Sequence, residues 1–574
     1  MTTPGGLLLP LAVLIPFLGV MLGLALGGRN AQRAAMLTIV AGFGIAAVIG
    51  LSFVSAGQPI TYVLGGWSPP LGIELRADAL AVAMLAMVAV VIAGIGIYAR
   101  ADFATPEGAR EARAPMLYWL LLLAVWGSLN LVFVSGDLFT LYVALELLTF
   151  AGVPLVCLDG KGETLRAALR YLVYALAGSV LYLLGAVLLY GECGTLDLAL
   201  VAQRLRPGPV GWVALALMTA GLLAKTALFP LHLWLPPAHA GAPPAASAVL
   251  SALVVKGSFF IVVRLWFDVA PALPGLPAAQ LLAGLGAAAI LFGSVIALRQ
   301  ERLKLLIAYS TLAQIGYLFL MFPLAFDGNS GAFVHGDALT GGTLQAMAHA
   351  TAKAAMFMTA GLLYKAYGHD RIADLGGAAR SVPLSVLTFA VAGVALMGVL
   401  PSGAYLAKKL LLQAAQASAQ WWWDWVLQVG GFLTTSYVVL VLAQAFRKPA
   451  SGAAPPKAVP RLQAAAALVL ALCSFALALA AIVGPVSDNL LGNPFAPKEL
   501  AATLVTVAAG AVLAWGFGRR YADAAGGSLR RAMLAFASTL QRVDAVLRRW
   551  PVAGISLLAL ALLFGVAMRA NASS

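Results

Sequence analysis

The sequence predicts an all-α polytopic membrane protein, and three observations carry that prediction. Hydrophobic residues fill 62% of the 574 positions and charged residues only 10%, a composition outside the range of soluble globular domains. Apolar runs of roughly 20 residues, the length that crosses a hydrocarbon core of about 30 Å, recur from end to end and number about 16. Basic residues, finally, gather in alternate connecting loops, the pattern that orients membrane helices.

The first apolar run, from Leu7 to Gly28, has no basic residue ahead of it. It is also too long for the apolar part of a signal peptide, so it counts as the first span. Arg29 and Arg33 follow it. If they face the cytoplasm, the same side receives Arg100, Arg110 and Arg113, then Lys161, Arg166 and Arg170, then Arg299, Arg302 and Lys304. Lys365, Arg371 and Arg380 come next, followed by Arg447, Lys448, Lys457 and Arg461, and by the group around Arg519 and Arg530. The opposite loops hold little beyond Arg76, Arg204 and Arg206. This arrangement predicts both termini outside.

The net charge of +14 is therefore mostly topology, with a contribution from anionic lipid, and implies no nucleic-acid partner. Cys157, Cys193 and Cys473 are far apart, with no CxxC pair and no histidine cluster beside them. That spacing argues against iron-sulfur, haem and zinc sites. No strand leads into a GxGxxG or Walker A loop. Neither a cofactor nor a catalytic site is expected in this chain, and any redox chemistry or nucleotide hydrolysis would belong to another.

Spans one to three end near Tyr98, and residues 1–112 form the N-terminal group, closed by a charged loop around Glu107 to Arg113. A long helical block reaches Phe446, and a Pro- and Ala-rich basic linker, Arg447 to Arg461, leads into a C-terminal region at 449–574. Within that region SLRRAMLAFASTLQRVDAVLRRW, residues 528–550, places Leu529, Met533, Phe536, Leu540, Val543, Leu547 and Trp550 on one helical face. Either an interfacial amphipathic helix or a cytoplasmic helix packed on its own protein fits that spacing.

Ionisable residues inside the spans need a reason, since each costs about 3 kcal/mol at the bilayer centre. Glu146 lies well inside LFTLYVALELLTFAGVPLV, whereas Asp137 is near that helix start, where an N-cap role is equally good. Lys225 ends GWVALALMTAGLLAK and Pro230 follows five residues later, where its ring disturbs the backbone bonds of that turn. A broken helix exposes amides and carbonyls that hold water or charge; the bland alternative is a lysine snorkelling from a helix end. Lys256 is midway along its span and cannot easily snorkel, though a structural pair with an acid would also explain it. His349 and Lys353 lie one turn apart in GTLQAMAHATAKAAMFMTAGLLY and so share a face. Lys408 and Lys409 follow LMGVLPSGAYLA, a second apolar segment interrupted by Pro401, Ser402 and Gly403. Two broken helices, each with a lysine near its break, suggest an internal repeat. Burial disfavours a lysine's charged form and a nearby carboxylate favours it. Movement of Lys225 relative to Glu146 would therefore change its proton affinity, which is what a pump element requires.

KTALFPLHLWLPPAHAGAPPAASAVLSALVVKGSFF, with DLFTLYVALELLTF before it and ERLKLLIAYSTLAQIGYLFL, HATAKAAMF and LPSGAYLAKKLLL after it, closely resembles the proton-translocating antiporter-like subunits. That family comprises the large membrane subunits of respiratory complex I and their relatives in Mrp cation/proton antiporters, membrane-bound hydrogenases and formate hydrogenlyases. The resemblance covers residues 78–446. It implies two inverted five-helix repeats containing broken helices, here 113–270 and 271–448, around a hydrated axis. Glu146 matches the acid paired with a broken-helix lysine, Lys225 that lysine, and Lys256 the central lysine of the next helix. His349 matches the histidine of the second repeat's connecting path and Lys408 its terminal lysine, with Lys409 the neighbouring candidate. His232 and His239 match positions linked to coupling or cytoplasmic access, and Glu301 and Lys304 also match, although positive-inside topology explains Lys304 equally well.

The resemblance implies a proton- or sodium-translocating subunit of a multisubunit energy-converting complex, with a redox partner of the NADH:quinone or hydrogenase type as its drive. The partners implied are other membrane subunits and iron-sulfur or quinone-reactive subunits, in a bacterial inner membrane. The alternatives are a subunit of an Mrp-type cation/proton antiporter and an ion-coupled membrane subunit of an inorganic-carbon uptake system.

Overall fold

The computed structural model describes residues 2–106, 108–109, 112–271, 273–334, 336–449, 455–483, 497–518 and 528–570. The loop charges Glu107, Arg110 and Arg519 lie outside them, as does part of the Arg447–Arg461 linker. Thirteen described helices are long and apolar enough to cross a bilayer, and Pro383–Leu396 and Glu499–Trp515 are shorter apolar helices. Asp337–Tyr367 is also long, at 31 residues, but falls outside that set, since it carries His349 and Lys353. One departure from an all-helical chain is a hairpin of β1 (Ile60–Val63) and β2 (Glu74–Ala77), antiparallel with Ile60 opposite Ala77. Strands of four residues are too short for their alternation to stand out beside 20-residue apolar runs.

The chain divides into two compact units. The first holds residues 1–227, 241–278 and 554–574. Its helices are α1 (Leu8–Leu26), α2 (Gly28–Ala56), α3 (Ala79–Asp102), α4 (Arg113–Val134), α5 (Leu138–Val156), α6 (Gly162–Cys193), α7 (Leu198–Arg204), α8 (Pro209–Thr226), α10 (Pro244–Val249) and α11 (Val255–Arg264). Consecutive helices pack side by side from α1 to α6, and α6 runs along α8. The outward faces of α1, α2 and α6 leave Leu51, Val54, Leu169 and Val180 exposed, uncharged surface of the kind a bilayer covers.

The second unit holds residues 228–240 and 279–553. It contains nearly all of α9 (Leu235–Gly241) and of α12 (Gly275–Leu298), together with α13 (Leu303–Phe319), α14 (Met321–Leu324), α15 (Asp337–Tyr367), α16 (Ala378–Ser381), α17 (Pro383–Leu396), α18 (Gly403–Ala417), α19 (Trp422–Ala445), α20 (Arg461–Val483), α21 (Pro497–Gly518) and α22 (Ser528–Leu547). The last helix, α23 (Trp550–Ala570), returns to the first unit. At the centre of the second unit α15 is enclosed by α13, α17, α18 and α20, while α19 packs on α21.

Both predicted helix breaks are present. α8 stops at Thr226, where Ala227 adopts a left-handed conformation (φ 60°, ψ 35°) and turns its amide back to the Ala224 carbonyl. Such a conformation is rare outside glycine, and with Pro230 beyond it the helix cannot continue. α17 stops at Leu396, Gly398 takes φ 65°, and α18 begins anew at Ser402, whose side chain accepts from the Tyr405 amide as an N-cap.

Candidate functional site

In the first unit three helices meet at Glu146. α6 and α8 cross closely because two glycines face each other: a Cβ on Gly178 would stand 2.5 Å from the Gly221 carbonyl oxygen. Small residues are what let membrane helices approach to backbone contact. Ser179 follows Gly178, and Lys225 lies one turn beyond Gly221, so the crossing carries both side chains to α5. There Lys225 Nζ stands 3.1 Å from Glu146 Oε1 and donates to Thr149 Oγ1 at 2.7 Å and to the Leu145 carbonyl at 3.4 Å. Ser179 Oγ donates to the same Glu146 oxygen. The lysine and glutamate side chains are only 7% and 14% exposed, so the pair is held by the protein and not by bulk water. A buried ion pair of this kind persists only when further hydrogen bonds satisfy its atoms, and Ser179 and Thr149 supply them.

Lys256 is fully buried on α11 and donates to the Ser251 carbonyl at 3.0 Å. That carbonyl belongs to a π turn, Leu250–Val254, where the regular helical ladder is interrupted. Asp137 is the N-cap of α5, its carboxylate accepting from the Thr140 amide at 2.7 Å and the Thr140 hydroxyl at 3.0 Å.

The second unit carries the remaining candidates. His232 is completely buried, with Nε2 3.0 Å from Asp544 of α22. The same carboxylate accepts from the Tyr309 hydroxyl of α13 at 2.7 Å and pairs with Arg548 at 2.8 Å. Burial opposes ionisation of Asp544, but the His232 and Tyr309 hydrogen bonds and the Arg548 charge prevail and hold its carboxyl below the usual range. His239, also fully buried, stacks on Phe357 at 4.7 Å between ring centroids, with Lys304 and Lys353 in electrostatic reach. Lys304 is buried rather than set among the loop charges, whereas Glu301 is exposed and its backbone carbonyl accepts from the Ile372 amide. Lys353 donates to the Ser310 hydroxyl and to the Ile307 carbonyl, and His349 lies one turn before it, fully buried.

The adjacent lysines of α18 diverge. Lys408 donates to Gln428 Oε1 at 2.9 Å and borders a narrow gap shared with Gln314, Tyr317 and Gln345. Gln345 in turn donates to Gln314, which donates to Thr434, a run of amides and hydroxyls beside α15. Lys409 pairs instead with Glu499 of α21 at 3.3 Å.

Several of these side chains carry no local signal in the sequence. Ser179 and Thr149 are unremarkable there and become partners only through the α6–α8 crossing. Asp544 left a legible signal, since it lies four residues after Leu540 and three before Leu547, at the edge of the apolar face. α22 uses that edge: Ala537 and Asp544 are buried while Phe536 and Val543 stay 49% and 38% exposed, so the buried line is turned about 70° from the apolar stripe. One edge of the helix therefore packs on its own protein, while Phe536 and Val543 of the stripe stay exposed within this chain. Among the described residues no group of three or more His, Cys, Asp and Glu could hold a metal ion.

Residues 135–434 match the family described as NADH:quinone oxidoreductase/Mrp antiporter, TM. NADH-quinone oxidoreductase subunit N of Desulforudis audaxviator is 34% identical over 449 residues, 76% of this chain and 87% of the relative. F(420)H(2) dehydrogenase subunit N of Methanosarcina mazei is 29% identical over 404 residues, 68% of this chain and 77% of the relative. A chain in the structure of the Mrp complex from Dietzia sp. DQ12-45-1b superposes with a TM-score of 0.71 at 24% identity, over 88% of this chain and 97% of that one. These relatives are subunits of multisubunit membrane assemblies, and the last shares the fold. With the polar residues above set on its helices, the chain belongs to the NADH:quinone oxidoreductase/Mrp antiporter transmembrane family.

Proposed function

We propose that this chain is the ion-translocating membrane subunit of a multisubunit energy-converting complex, moving protons, or sodium ions, through buried Glu, Lys and His side chains under the drive of a redox partner. The observation that carries this reading is the Glu146–Lys225 pair, held at a helix break by Ser179 and Thr149. A lysine at the last turn of an interrupted helix can leave its carboxylate by a small movement of that turn. Separated from Glu146 it loses the charge that compensates its burial and gives up a proton; rejoined, it takes one back. Lys256 in the first unit, and His349, Lys353 and Lys408 in the second, offer further sites for the same exchange. His232 and His239 connect the segment after the break to Asp544 and to the Lys304–Lys353 neighbourhood.

The 34% identity to a quinone oxidoreductase subunit favours a redox-driven parent, with electron transfer in iron-sulfur or quinone-reactive subunits. This chain's three cysteines are dispersed and form no cofactor motif. The family's Mrp antiporter branch supports a second reading, in which one ion gradient drives another. In either case the site is the bacterial inner membrane, with the distribution of basic loops favouring both termini on the periplasmic side.

Purification of the chain from native membrane in mild detergent, followed by mass spectrometry and an acidification assay in liposomes, tests the proposal. Redox-cofactor subunits and substrate-driven acidification support the first reading. Small membrane subunits alone, with cation-driven acidification, support the second. Neither kind of ion movement from an intact assembly would overturn both.

A further inference from the structure

A cavity of about 350 Å³ opens beside α18, lined by Lys408, Lys409, Tyr405, Gln416, Asp424 and Glu499 among others. It extends along α18 from Tyr405 to Gln416, eleven residues or about 16 Å. Its acids come from helix starts: Asp424 from the first turn of α19 and Glu499 from the first turn of α21. α17 begins beside Arg380 and α19 ends beside Arg447 and Lys448. By the orientation proposed above, those ends are cytoplasmic and the starts of α19 and α21 are not, so the cavity leads from Lys408 away from the cytoplasm. Exposure rises from Lys409, at 15%, to Glu499, at 32%. Glu499 accepts from the Tyr405 hydroxyl at 3.0 Å and pairs with Lys409 at 3.3 Å. It stands outside the residues that match the family, 135–434, so nothing in that match assigns it a role.

We propose that Glu499, held by Lys409 and Tyr405, is the acceptor through which Lys408 discharges its proton to the non-cytoplasmic side. This inference rests on the proposed translocation function and adds its outlet. The Lys408 ammonium gives one proton, through water in the cavity, to the Glu499 carboxylate, leaving a neutral amine and a carboxylic acid. Protonated Glu499 no longer attracts Lys409, swings toward the more exposed wall, releases the proton to bulk water and returns to its pair. The second unit thus has a glutamate–lysine pair of its own, with the acid supplied by a C-terminal helix. The groups facing Glu499 that set its proton affinity are Lys408, Lys409 and Tyr405 from α18 and Asp424 from α19.

The test is ion translocation by the intact complex in liposomes, as a function of pH on the outlet side, for Glu499→Gln, Glu499→Asp and the double variant Glu499→Gln/Lys409→Gln, with Glu146→Gln alongside. Glu499→Gln is expected to slow translocation about tenfold or more, and the double variant should not recover it. Glu499→Asp should keep the rate within about twofold while shifting the outlet-side pH at which flux is half-inhibited. Wild-type flux in Glu499→Gln overturns the inference, as does recovery in the double variant, which would mark the pair as packing only. If Glu499→Gln fails to assemble, an unshifted pH profile in Glu499→Asp overturns it equally. Loss of flux in Glu146→Gln without loss in Glu499→Gln removes this outlet alone, whereas wild-type flux in both removes the translocation reading itself.

Discussion

Lys225 and Glu146 form an ion pair of 3.1 Å between the last turn of one helix and the middle of another, both side chains largely buried. The pair is built by a glycine crossing, completed by Ser179 and Thr149, and placed at a helix end that a left-handed Ala227 and the following Pro230 enforce. The proposed opening of the pair relies on that position at an interruption.

Ser179 contributes one hydrogen bond to a charged acceptor, of a kind worth about 2 kcal/mol. Ser179→Ala should therefore slow translocation several-fold while the complex still assembles, with Ser179→Thr retaining most of the rate. Flux measurements on both variants check this, and equal rates in wild type and Ser179→Ala would remove Ser179 from the site.

The α6–α8 crossing leaves no room for a side chain at Gly178, whose Cβ would meet backbone. Gly178→Val should cost about 1 to 3 kcal/mol of stability and lower the melting temperature of the purified assembly. Gly191→Val, on the same helix with nothing within 4 Å of its Cβ, should leave it nearly unchanged.

Asp544 ties α22 to His232 and Tyr309. Because its carboxyl is held below the ordinary value of 3.8, the stabilisation it gives is complete above that value and is lost as the pH falls through the depressed one. Hydrogen exchange of α22 should stay slow from neutral pH down to about 4 and accelerate below it. In Asp544→Asn it should be fast throughout.

How much of this was legible in the sequence depends on the range of the interaction involved. Glu146, Lys225, Lys256, His349 and Lys353 stand out because an ionisable group in an apolar run is costly wherever the run folds. Both breaks announce themselves through Pro230 and Pro401, and Asp137 through its place before an apolar run. Ser179, Thr149 and Glu499 acquire meaning only from helices distant in sequence, so no local pattern marks them. Lys304 reads as a topology charge from its place at a helix start, yet it is buried, because the chain folds over that start. The hairpin stayed hidden for the opposite reason, its strands being too short to carry a period.

Outside the proposed translocation residues, Arg264 grips Asp78 with two bonds of 2.6 Å each, and Asp78 also caps α3 through the Ala81 amide. Asp78→Ala should lower the stability of the first unit by about 2 kcal/mol without altering flux per assembled complex. A melting curve and a flux assay on the same preparation separate the two effects.

On the proposed function, ions cross this subunit by way of the buried glutamate–lysine pair. Proton or sodium flux through the purified complex in sealed liposomes, compared between wild type and Lys225→Ala at equal assembly, addresses it most directly. A fall of about tenfold or more, with every partner subunit still bound, is expected. Flux at the wild-type rate from a fully assembled Lys225→Ala complex would contradict it.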